Sequence, residues 1–166
     1  MKFVIVLIVS LLSSIAFAQD LVGNAVNASG TLVDQRGYKI RYSAPYMENV
    51  FKTGLVYVKN PQMTIYLPDG SSFAIQADTV TMDTSTKELL FKNIVKIKTK
   101  NGELQTNFMK LALRQLHLTS SSPFTFHGKT KKLPKKFQGQ AFYASTTDYK
   151  LHLFNLKGGK SKSLDF

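Results

Sequence analysis

The sequence predicts an all-β protein built as a bent stack of antiparallel strands. Three observations carry that prediction. Apolar and polar residues alternate over short runs, no stretch beyond the N-terminal segment keeps a helical period, and turn residues interrupt the runs at a near-constant spacing.

The first element is not a strand. Met1-Lys2 is a small positive start, Phe3 to Ile15 is almost wholly apolar, and Ala16-Phe17-Ala18 precedes polar Gln19-Asp20. This is the layout of a secretory signal with an A-x-A cut after Ala18. The alternative is a membrane anchor, for which a helix over Phe3 to Ala18 would be roughly 24 Å long against a hydrocarbon core of about 30 Å. Either reading exports the rest, so residues 1–18 are set apart from a domain over 19–156. The tail over 157–166 is rich in Gly, Lys and Ser and is expected to be flexible.

The strands follow in order. Met63 to Leu67 alternates, Pro68-Asp69-Gly70 turns, and Phe73 to Ala77 alternates again. Leu89-Leu90-Phe91 leads into Val95 to Lys98, with lysines on one face and apolar groups on the other. Asn101-Gly102 predicts a type I′ hairpin, which needs a positive φ at both positions. Leu111 to Leu113 and Leu116 to Leu118 flank a turn at Arg114-Gln115, and Phe124-Thr125-Phe126 closes that region. Gly37, Gly70 and Gly102 lie 33 and 32 residues apart, each followed by a related strand. About four copies of a strand–turn–strand unit would stack into one core, because a single unit cannot bury its apolar face. The apolar parity slips once: Phe73, Ile75 and Ala77 are odd, Val80 and Met82 even. One extra residue near Asp78, a β-bulge, would restore a single buried face and bend the strand. The bent stack is then two facing sheets, or one sheet folded over.

Composition narrows the function. The chain has 166 residues, a formal net charge of +12 and no cysteine, so it suits one domain and has no disulfide, thiolate ligand or thiol nucleophile. Twelve Phe and seven Tyr are enough for a core. The positive balance suits an anionic partner, and export argues against nucleic acid. His117 and His152 each sit between leucines and point outward by parity, and His127 stands alone, so no metal set forms. No paired carboxylates or nucleophile motif appear; Asp78 and Asp83 read as turn residues. The expectation is a protein without catalytic residues, metal or cofactor.

Several motifs carry a family resemblance. They are Asn60-Pro61, Tyr66-Leu67-Pro68-Asp69-Gly70, Ile75-Gln76-Ala77-Asp78-Thr79, Leu89-Leu90-Phe91-Lys92-Asn93-Ile94-Val95, and Thr106 after the Asn101-Gly102 turn. Gly37-Tyr38-Lys39-Ile40 is similar to the opening strand, and Gly139 to Asn155 to the closing repeat. Over roughly residues 34–156 the chain resembles the LptC family of lipopolysaccharide-export components, within the OstA-like group. The resemblance implies a twisted antiparallel β-jellyroll with an apolar groove open along one side. It also implies lipopolysaccharide as cargo, passed from the periplasmic domains of an inner-membrane ABC transporter to the next, LptA-like, periplasmic bridge protein. Two departures stand out: an N-terminus that reads as cleavable, as in the soluble bridge protein LptA, and a basic loop with Lys129, Lys131, Lys132, Lys135 and Lys136.

A buried chain of about 14 carbons gains on the order of 10 kcal/mol, so a carrier needs a long apolar groove and no chemistry. By parity the groove set is Ile65, Phe73, Ile75, Val80, Met82, Leu89, Phe91, Val95, Ile97, Leu111, Leu113, Leu116, Leu118, Phe124 and Phe126. Phe137, Phe142, Leu151 and Leu153 extend it through the repeat. The same residues would equally serve as sealed core. The basic loop would face lipid phosphates or simply solvent, while Lys96, Lys98 and Lys100 form a solvated face. The resemblance places partner edges at Gly37, Tyr38 and Ile40 and at Tyr149, Leu151 and Leu153. Competing readings are an LptA-like soluble bridge protein, an outer-membrane-assembly partner without lipid, and a secreted structural or adhesive β protein with a sealed core.

Overall fold

The computed structural model describes residues 22–33, 35–129, 136–145, 150–158 and 161–165, and these contain fourteen strands and no helix. They are β1 (Val22–Val33), β2 (Lys39–Val50), β3 (Leu55–Lys59), β4 (Gln62–Tyr66), β5 (Ser72–Gln76), β6 (Thr79–Asp83) and β7 (Glu88–Lys98). The series continues with β8 (Gly102–Ala112), β9 (His117–Ser120), β10 (Phe124–Gly128), β11 (Lys136–Gly139), β12 (Ala141–Ser145), β13 (Lys150–Phe154) and β14 (Lys162–Asp165). All pair antiparallel in one sheet, which folds over on itself as a jellyroll.

A crease divides the sheet into two leaves. On β2, Lys39 to Ser43 pairs with β4, whereas Tyr46 to Val50 pairs with β3. On β7, Glu88 to Lys92 faces β6 and Lys96 to Lys98 faces β5. On β8, the first half faces β10 and the second faces β9. The leaf with β3, β6, β9, β12, β13 and β14 thus meets the leaf with β4, β5, β10 and β11, and the long strands run through both.

The crease has a chemical signature. Asn27, Asn60, Asn93 and Asn155 lie on it with φ of 52, 47, 57 and 50°. Asn tolerates this left-handed region better than other residues that carry a Cβ. Asn27 sits opposite Pro45, Asn60 precedes Pro61, and Pro123 marks the crossing between β9 and β10. Proline has no N–H to give a ladder, so it fits where the ladder is already interrupted. The freed backbone groups find other partners: the Asn60 N–H donates to the Asp78 carbonyl at 2.7 Å and the Asp78 N–H to that of Asn93 at 3.2 Å. Buried Thr106 and Ser120 donate their hydroxyls to the carbonyls of Pro123 at 3.0 Å and Phe108 at 2.6 Å.

Several expectations are refined here. The extra residue placed near Asp78 lies instead in β7, where the register shifts between Lys92 and Val95; at Ala77-Asp78 the chain crosses from β5 to β6. Neither Asn101 nor Gly102 has a positive φ. Gly102 opens β8, where an added Cβ would meet the His127 carbonyl and the Phe126 ring. Glycine is needed there for close approach, not for turn geometry. Ile40 is not at an edge, because β2 is flanked by β1 on one side and by β3 and β4 on the other; Gly37 and Tyr38 precede that strand. Leu151 and Leu153 are not at an edge either, because β14 covers β13. That strand lies in the tail expected to be loose, and its Asp165 carbonyl accepts from Asn101 Nδ2 at 2.6 Å. Among the described residues three strands pair with one neighbour only: β1 with β2, β14 with β13, and β11 with β10. Tyr149, residues 1–18 and Lys131, Lys132 and Lys135 lie outside the described residues.

Candidate functional site

Alternation aims one side chain in two from each leaf at a common interior. Over most of its length that interior is full. Ile65, Ile75, Phe91, Val95, Leu111, Leu118 and Phe126 have no exposed surface, Phe73 and Ile97 are 1% exposed, and Phe124 is 3% exposed. Phe124 meets Phe142 edge to face with ring centres 6.0 Å apart, and Phe126 stacks on Phe137 at 4.8 Å. Leu151 and Leu153 are buried in the same core. Such dense packing leaves no room for a guest.

At the N-terminal end the leaves part. A cavity of about 360 Å³ opens there, within the size range of ligand pockets. The second leaf contributes Tyr38, Ile40 and Met63, and Ala44 faces it from the crease. The first leaf contributes Val56 and Val58 from β3, Val80 and Met82 from β6, Leu89 from β7, and Leu113 and Leu116 from the β8–β9 turn. Leu32 of β1 and Met47 of β2 flank it. The walls are thus largely aliphatic and methionine-rich, a lining that adapts to irregular apolar guests. Lys87 and Arg114 are its charged lining residues.

Of the residues expected in the groove, Val80, Met82, Leu89, Leu113 and Leu116 line this slot. The other ten in the parity set belong to the filled part of the core. Tyr38 and Ile40, assigned to an edge, line the slot instead. The sequence reading passed over Ala44, Val56 and Val58, because it assigned no strand between Ile40 and Met63; Met63 opens a strand that it did assign but was left out of the inward set. The signal was present: Val56 and Val58 stand 33 residues before Leu89 and Phe91, the same step that separates Asn60 from Asn93.

A second depression, of about 490 Å³, lies on the crease and is lined by Gln105, Asn107, Thr125, Gln138 and Gln140 with Ile94 and Phe124. Its amides suit water or hydroxyl groups better than hydrocarbon. Two of the three histidines are engaged elsewhere: His117 Nδ1 and the Tyr143 hydroxyl are 3.2 Å apart, and His152 Nδ1 and the Ser163 hydroxyl 2.9 Å. Asp83 is held by its own turn. Its Oδ1 accepts from the Ser85 hydroxyl at 2.6 Å, the Ser85 N–H at 2.8 Å and the Thr86 N–H at 3.2 Å. These bonds, the Ser85 hydroxyl first, hold its carboxyl below the usual range. Asp69 is lowered in the same way, chiefly by the Ser71 hydroxyl. Lys129 and Lys136, the described members of the basic loop, follow β10 and open β11 respectively and do not line the slot.

Compared with protein families, residues 5–155 match the model described as lipopolysaccharide-assembly, LptC-related. No curated protein matches the chain.

Proposed function

The chain belongs to the LptC-related lipopolysaccharide-assembly family, a family of lipopolysaccharide-transport components, and from that premise we propose that it carries lipid in the slot at its N-terminal end. Acyl chains lie between the leaves while the sugars remain outside. The observation that carries this reading is the open apolar cavity of about 360 Å³ in an otherwise filled jellyroll. A cavity of roughly 150 Å³ with apolar walls already binds benzene, so one more than twice that size suits part of an acyl chain. The cargo moves through by binding and release, with no bond made or broken.

In this reading the domain is a link in a periplasmic bridge. The β1 edge faces the periplasmic domains of the ABC transporter, and the C-terminal edge at β14 faces the next, LptA-like, bridge protein. An unpaired strand edge offers a row of N–H and C=O groups that a partner strand completes. Residues 1–18 deliver the domain across the inner membrane or tether it there. Among the described residues no helix is long and apolar enough to cross a membrane, and residues 1–18 lie outside them.

The test uses the methionines. Met47, Met63 and Met82 line the slot, whereas Met109 is fully buried away from it. With photo-methionine in their place, irradiation in the presence of lipopolysaccharide is expected to attach lipid at Met63 and Met82 and not at Met109. Lipid attached nowhere among these positions, in cells that export lipopolysaccharide normally, refutes the slot as carrier.

A further inference from the structure

Three four-residue loops close strand pairs at one end of the first leaf: 51–54, 84–87 and 113–116. Each ends in the left-handed region, at Gly54 (φ 66°), Lys87 (φ 61°) and Leu116 (φ 52°). Glycine takes that conformation freely, and any residue with a Cβ takes it at a cost. Lys87 stands 33 residues after Gly54, one repeat later, where glycine would serve the loop better. Strain kept by a side chain at a cavity mouth points to a use for that side chain.

The loop itself makes no use of the ammonium group. The turn is closed by the Lys87 N–H, which donates to the Asp83 carbonyl at 2.9 Å. Among the described residues the Lys87 and Arg114 side chains have no carboxylate partner. The described acids next to this loop are occupied: Asp83 by Ser85 and Thr86, and Glu88 by Lys110 at 2.6 Å. The Leu113 N–H donates to the Lys87 carbonyl at 3.0 Å, which sets the two loops side by side. Both residues therefore line the slot from adjoining loops, and no acid is among its described lining residues.

We propose that Lys87 and Arg114 form an anion clamp at the slot, which takes the phosphate-bearing head of an amphiphile whose acyl chain lies between the leaves. This rests on the slot reading above and adds the polarity of its cargo. A guanidinium fork beside an ammonium suits a phosphate oxygen array, and the aliphatic walls suit only the chain. Neither part alone would hold a ligand well, because exposed cations bind free phosphate weakly.

The test compares tetradecyl phosphate, tetradecanol and inorganic phosphate on the full chain, below micelle-forming concentrations, by displacement of a fluorescent fatty acid. The phosphate is expected to bind about tenfold more tightly than the alcohol at low salt, with the preference shrinking as salt rises. Lys87→Gly and Arg114→Gln should each cut that preference about threefold to fivefold. Lys96→Gln, on the second leaf, should leave it unchanged. A preference equal in wild type and both variants overturns the clamp while the slot stands. Failure of both tetradecyl ligands to bind overturns the slot and the clamp with it. Displacement by inorganic phosphate at the same concentration as tetradecyl phosphate overturns the joint recognition of head and chain.

Discussion

Filling the slot should abolish lipid binding without harming the fold. Ala44 is 4% exposed, sits on the crease opposite Ala28, and turns its methyl group toward the cavity. In Ala44→Phe the ring enters a space of about 360 Å³ that the described residues leave open. If the ring excludes about four methylenes of ligand at about 0.8 kcal/mol each, binding weakens by about 3 kcal/mol, or more than a hundredfold. Overpacking a filled core costs roughly 1–3 kcal/mol, yet here the added volume has somewhere to go, so stability should hold. Ile97→Val serves as the counterpart in the filled region, where Ile97 is 1% exposed. It should lose about 0.5–1.5 kcal/mol of stability and keep wild-type affinity. Fluorescent fatty-acid titration and urea denaturation read the two quantities separately. Wild-type affinity in a well-folded Ala44→Phe protein would refute the reasoning.

Three further outcomes follow from other parts of the molecule. Gly102→Ala should destabilise by more than about 2 kcal/mol in urea, because the new methyl group meets the His127 carbonyl and the Phe126 ring at a place packed on both sides. Lys87→Gly should keep or raise stability, by up to about 1 kcal/mol, since it relieves a left-handed lysine at φ 61°; a clear loss would show that the lysine supports the loop. Acidification should weaken the fold through Asp69 and Asp83, whose carboxyls are lowered by serine hydroxyl and backbone hydrogen bonds. A lowered group contributes fully above its unfolded pKa, about 3.9, and loses that contribution as pH falls through the folded value. The stability gap between wild type and Asp83→Ala should therefore be widest near neutral pH and close below about pH 4.

Most strands from Gln62 to Phe154 were legible because they keep one buried face: Met63, Ile65 and Leu67, then Phe73, Ile75 and Ala77, obey a period of two, whereas β14 lies in a Gly-, Lys- and Ser-rich tail that reads as loose. β1 was not, because it is an edge whose apolar residues stay in solvent; Val26 is 73% and Val33 68% exposed. β3 hid behind a short run without flanking glycine turns on both sides. Those omissions removed one wall of the slot from view. Alternation identified inward residues well, but Phe91 and Leu89 share a parity and differ in whether the opposite leaf fills the space before them. That is a property of summed volumes across the sheet, which no local pattern records. The repeat was read from Gly37, Gly70 and Gly102, whereas the more regular markers are Asn27, Asn60 and Asn93, which mark the fold line rather than the strand ends.

The crease gives the molecule an extensible plan. Each 33-residue step brings its own bend residue, its own pair of strands and its own satisfied backbone, and it touches chiefly the steps before and after it. Duplicating one step in register would thus lengthen the folded sheet like an added bellows fold, moving the end strands apart without disturbing the chemistry of either. Reach and cargo grip become separately adjustable, and evolution or a designer can vary one while holding the other fixed.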